Sequence, residues 1–131
     1  LLHGDDKIIT KVGLEYLAKN TCGITSNAFT YFAIGAGSTA ESENNTALAS
    51  ENTLYGAARK LATCSFVSPS TAVWEATFAF TGDVTVREYG IFDAVTGGNL
   101  LARVVLSENN YFHDTQAGSF HVEIPFARVV T

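Results

Sequence analysis

The segment Asp83–Val105, DVTVREYGIFDAVTGGNLLARVV, constrains this chain more than any other. Two runs rich in Val, Ile, Leu and aromatic residues flank Ala94-Val95-Thr96-Gly97-Gly98-Asn99. Gly-Gly and Gly-Asn supply the positive φ angles that a tight connection between antiparallel strands requires. A long β-hairpin follows, and whatever surrounds it has to cover its apolar faces.

The flanking sequence carries the same signature. Ala72, Trp74, Ala76, Phe78 and Phe80 alternate with Glu75, Thr77 and Ala79, which is the period of a half-buried strand. Lys60–Val67 alternates as well, and Ser68-Pro69-Ser70 turns it into the next strand. Phe120, Val122, Ile124 and Phe126 alternate with His121, Glu123 and Pro125; Pro125 cannot donate to a ladder, which places it at an edge or a bulge. Phe29–Ile34 is apolar throughout and reads as a strand buried on both faces. One helix is predicted over Lys7–Asn20, with Thr10 as a capping residue, Leu14, Leu17 and Ala18 on one face, and Gly13 weakening it. Two polar stretches read as long loops. Ser38–Asn52 has room for one helical turn at Thr46–Ser50, and Ser107–Gly118 is the second. These elements predict a single all-β domain over residues 1–131, an antiparallel, jelly-roll-like β-sandwich with one short N-terminal helix.

Composition narrows the function. The 131 residues are 47% hydrophobic, enough for a packed core, but only 16% charged. A surface so poor in charge suits an interface. Net charge is −5, and Arg59-Lys60 is the sole basic pair, so no concentrated footprint for phosphate exists and nucleic acid is not expected as a partner. No apolar run approaches the roughly 20 residues of a membrane span, and no membrane association is expected. Cys22 and Cys64 sit in apolar contexts and read as buried free thiols, with one disulfide as the alternative. The chain has no Met and begins Leu1-Leu2, so the native start is expected to differ from Leu1.

Three constellations were weighed for chemistry. Gly35-Ala36-Gly37-Ser38-Thr39-Ala40 matches the G-x-G-x-x-A pattern of dinucleotide sites, but no amphipathic helix follows to hold a pyrophosphate. His121 and Glu123 lie about 6.6 Å apart on one strand face. A metal would need further ligands, and His113-Asp114 is the nearby supply. Arg87-Glu88 reads as two neighbours facing opposite ways in ordinary surface or interface pairs. No Ser lies in a nucleophile elbow and neither Cys has an activating signature. The expectation is therefore a non-enzymatic protein without cofactor or metal, the rival being a small β-barrel enzyme that binds a metal or ligand. Interface residues are expected among the aromatics of polar loops, Tyr55, Tyr111 and Phe112, and in the Ser38–Asn52 segment at Glu41 and Asn45.

Four motifs carry a resemblance. They are Ile34-Gly35-Ala36-Gly37, Thr46-Ala47-Leu48, Glu88-Tyr89-Gly90-Ile91-Phe92 and Leu101-Ala102-Arg103, in that order after a short helix and before a closing strand. In this arrangement the chain resembles small virion proteins of tailed bacteriophages, over nearly its whole length from about Lys7. The resemblance implies a structural component without catalytic residues. The expected role is capsid cement or decoration on the outer surface of the head, bound to the major capsid protein and homo-oligomeric. A tail fibre or collar protein, bound to tail proteins, is the alternative.

Overall fold

The computed structural model describes residues 2–3 and 7–126, the side chains of 2–3 excepted. The architecture is an all-β sandwich of two sheets with one short helix, as the alternation predicts. The strands are β1 (Leu2–His3), β2 (Lys7–Ile9), β3 (Tyr31–Gly35), β4 (Lys60–Leu61), β5 (Thr63–Val67), β6 (Thr71–Ala79), β7 (Val84–Phe92), β8 (Leu100–Phe112) and β9 (Ala117–Pro125); helix α1 is Lys11–Thr21. One sheet has the order β1-β9-β6-β5 and the other β2-β8-β7-β3-β4.

Alternation places Trp74, Phe78, Phe80, Phe120, Val122 and Ile124 on the inner face of the four-stranded sheet. Phe32, Ile34, Val84, Val86, Tyr89 and Ile91 meet them from the five-stranded sheet. Phe32 stacks on Tyr89 at 5.4 Å between ring centroids, and Phe78 meets Phe120 edge to face at 5.8 Å. The Trp74 indole N–H donates to the Phe29 carbonyl at 2.7 Å, which satisfies the one polar atom of that buried ring.

The β7–β8 hairpin closes through residues 93–99. Gly97 and Gly98 both take positive φ, 61° and 72°. Asp93 accepts from the Asn99 backbone N–H at 2.7 Å and its side-chain amide at 2.8 Å. A Cβ on Gly98 would press against that Asp93 carboxylate. Opposite Arg87 the ladder breaks, and residues 106–109 of β8 form a bulge between the Val86–Asn110 and Glu88–Val105 pairs. Arg87 donates to the Leu106 carbonyl at 2.6 Å and the Asn109 side chain at 3.2 Å.

Five expectations need correction. The helix starts at Lys11, because Lys7–Ile9 pairs with β8 as a strand; Thr10 then caps the helix by accepting from the Gly13 N–H at 2.9 Å. Gly13, unfavourable for helix propensity, is what lets α1 lie on β8, since a Cβ there would strike the Leu101 backbone. Lys60–Val67 is not one strand: it passes from one sheet to the other at Ala62, whose N–H donates to the Thr30 carbonyl at 2.7 Å. Ser107–Gly118 is not a loop, because β8 runs on to Phe112 and only residues 113–116 turn. No helical turn forms at Thr46–Ser50. Cys22 and Cys64 are free, as read, but exposed rather than buried.

Candidate functional site

The polar segment after β3 does not project. Residues 36–52 lie across the outer face of the five-stranded sheet, making a third layer over β3, β7 and β8. The attachment centres on Glu88, which is wholly buried. Its Oε2 accepts from the N–H groups of Gly37 and Ser50, both at 2.7 Å. Its Oε1 accepts from Ala49 N–H at 2.8 Å and Arg103 Nε at 2.9 Å. Arg103, 1% exposed, reaches Asn45 Oδ1 at 3.3 Å and the Ala40 carbonyl at 3.4 Å through Nη1; its Nη2 has no hydrogen-bond partner among the described residues. Leu48 fills a small second core with Ala33, Phe92 and Leu100 beneath the loop.

Close approach explains the glycines. A Cβ on Gly35 would collide with the Ser50 carbonyl, one on Gly37 with the Glu88 carboxylate, and one on Gly90 with Leu48 and the Ala102 carbonyl. The Gly35-x-Gly37 corner therefore serves a carboxylate of the chain itself, in place of a pyrophosphate. The far end of the loop is held by a second pair: Arg59 grips Glu51 through two contacts of 2.8 Å, donates to the Ala94 and Gly97 carbonyls, and lies 3.5 Å from the centroid of the Phe92 ring. Those donors face inward, and the shallow groove lined by Glu51, Arg59, Val95 and Thr96 offers few of them to an outside ligand.

Sequence reading missed this centre by assigning Glu88 to a surface or interface pair. The signal was present. Arg103 is the lone charge in the apolar run LLARVVL, Glu88 stands next to Arg87 in β7, and the hairpin register puts Arg103 opposite Gly90, diagonal to Glu88. Opposite charges so placed have to meet, since a buried charge needs a partner.

The residues expected at an interface divide into two groups. Glu41 and Asn45 point their oxygens inward: Glu41 accepts from Val105 N–H at 3.0 Å, and Asn45 from Ser42 N–H at 2.9 Å as well as from Arg103. Phe112 is half-buried, stacked on Phe80 at 4.7 Å and edge-on to Phe120. Tyr111 and Tyr55 do face solvent, at 65% and 55% exposure. Tyr111 stands on β8 opposite Thr85, its hydroxyl accepting from the Asn109 amide. Tyr55 has φ 57° and lays its ring on Gly82.

His121 sits between two carboxylates, Nδ1 to Glu75 at 3.1 Å and Nε2 to Glu123 at 2.9 Å. The carboxylates occupy opposite ring nitrogens, so one ion cannot be held by all three. His113 pairs with Asp83 at a loop end. Among the described residues no cluster of three or more His, Cys, Asp or Glu has metal-binding geometry.

Strand β5 is exposed along its whole length. Sequence alternation treats it as half-buried, yet all five residues are exposed, Phe66 at 70%. Cys64 and Phe66 share the inner face with Trp74 and Ala72, opposite which they pair. The opposing sheet ends there in the two-residue β4 and does not reach them. Partial burial of its thiol nevertheless pushes the Cys64 pKa up. Among the described residues no helix is long and apolar enough to cross a membrane. The chain matches no protein-family model and no curated protein.

Proposed function

We propose that this chain is a non-enzymatic virion structural protein of a tailed bacteriophage. It decorates the outer surface of the capsid and is held by the major capsid protein. One observation carries the reading: the four motifs behind the resemblance meet at a single place. Gly37, Leu48, Glu88, Gly90 and Arg103 are the parts of the loop clamp. Together these motifs make a device that freezes an irregular segment onto a sheet. A rigid irregular surface suits docking on a lattice, because little conformational entropy remains to be lost on binding. The acidic balance favours the outside of a particle over a surface against packaged DNA. The chemistry-bearing side chains support the same reading, since Glu88, Arg103, Arg59 and Glu51 are engaged with one another.

Quantitative mass spectrometry of purified virions tests this. A copy number comparable with that of the major capsid protein is expected. A few copies per particle would place the chain in the tail, as a fibre or collar component, and absence from particles would overturn the assignment. Bound nucleotide or stoichiometric metal in the purified protein would revive the enzyme reading.

A further inference from the structure

Among the described residues the two sheets have four outer strands, and three of them are short or charged. β1 and β4 have two residues each and β2 has three; Lys7 lies in β2 and Lys60 in β4. The fourth, β5, is Thr63-Cys64-Ser65-Phe66-Val67. It has no charge, proline or bulge, and among the described residues it pairs on one side only, with β6. Its other side presents main-chain N–H and C=O groups that no described residue pairs with, a template for another strand that monomeric proteins usually blunt with charge, proline or a bulge.

We infer that β5 pairs antiparallel with β5 of a second copy, joining two four-stranded sheets into one continuous eight-stranded sheet across a twofold axis. Charge selects both occupant and direction. The chain carries −5, so two copies repel over most of their surface, and β5 is a long neutral edge where they can approach. The exposed Lys60 lies just before the strand, and the neutral turn Ser68-Pro69-Ser70 follows it. Parallel pairing would set Lys60 against its own copy. Antiparallel pairing sets it against the neutral turn and keeps the two lysines a strand length apart. With the axis near Ser65, Phe66 of each copy packs beside Cys64 of the other, on the inner face that the opposing sheet leaves open. An edge of five residues covers less than the roughly 800 Å² per partner of a stable interface, so pairing depends on concentration. On a particle surface, where neighbours are fixed close together, the same edge links adjacent copies.

Sedimentation equilibrium on the purified chain tests the pairing. The weight-average mass should climb from 14.0 kDa towards twice that value between micromolar and millimolar protein. Phe66→Lys should hold the mass at the monomer with an unchanged circular dichroism spectrum, as its site is already solvent-facing, and Tyr111→Lys should leave the climb intact. In a Cys22→Ser background a short bismaleimide should capture the dimer through Cys64. A monomer up to millimolar concentration overturns the pairing, as does association that survives Phe66→Lys or a dimer that Cys64 does not capture. Pairing is read on the purified chain and attachment on the virion, so either can fail without the other.

Discussion

Residues 36–52 have no regular structure beyond one bridge between Gly35 and Glu51, yet the segment is fixed at both ends and in the middle. β5 is a regular strand, yet among the described residues it is held from one side only, and all five of its residues are exposed. The contrast separates regularity from rigidity. The loop is rigid because its amide groups end on a buried carboxylate whose charge is balanced by a buried guanidinium, and release would strand both. β5 is regular because β6 supplies a ladder, but a ladder on one side leaves the main-chain groups of its other side and the exposed ring of Phe66 open to another surface. A binding surface is therefore to be sought on the strand and on the fixed outer side of the loop.

The harshest way to break this contrast is Glu88→Ala. It leaves Arg103 buried without its counter-charge and frees three loop amides, and should cost about 3–5 kcal/mol in urea denaturation. Amide exchange at Gly37, Ala49 and Ser50 should rise. A loss below about 1 kcal/mol would show that the loop stands without the clamp. Trp74→Ala, on β6 opposite Cys64, should cost about 3–4 kcal/mol from the emptied volume and the lost bond to Phe29. It shows that the strand next to β5 is as firmly held as β5 is open. Gly90→Ala sharpens the loop side: its new methyl would sit 2.9 Å from Leu48, Leu100 and the Ala102 carbonyl, for an expected loss of about 1–3 kcal/mol. Phe66→Ser, at the other extreme, should change monomer stability by no more than about 0.5 kcal/mol, because the ring leaves no cavity behind. The smallest effect is kinetic. Partial burial disfavours the thiolate of Cys64 and raises its pKa, so near neutral pH a smaller fraction is reactive. In a Cys22→Ser background, iodoacetamide should label Cys64 more slowly than an unhindered thiol, with the rate still rising at pH values where the latter has levelled off.

Periodicity marked most strands, because alternation on β6 and β9 is a local property of side chains meeting one core. It failed where neighbours, rather than the strand itself, set the environment. β8 continues through Ser107–Phe112 despite its polarity, since β7 supplies ladder partners for Asn110, Tyr111 and Phe112. Phe112 looked like a loop anchor but fits against Gly118, which leaves room for its ring. Cys64 and Phe66 carry an inward pattern with nothing opposite to receive it. Of the interface residues expected from sequence, Tyr55 and Tyr111 have the exposure such a role needs, whereas Glu41 and Asn45 direct side-chain oxygens towards the domain itself.

What the sequence determined by itself is local: the strand periods, the Gly97-Gly98 turn, the Thr10 cap, and the inward face of β6. Each depends on residues within one strand, one turn or one helical turn of one another. Tertiary structure alone decided where chain segments distant in sequence come to rest. Glu88 takes hydrogen bonds from Gly37, Ala49 and Ser50, between 38 and 51 positions away, and only the folded sheet brings those amides to one carboxylate. The openness of β5 is decided at the same level, by how far the opposing sheet extends, and no pattern within five residues encodes the width of a sheet.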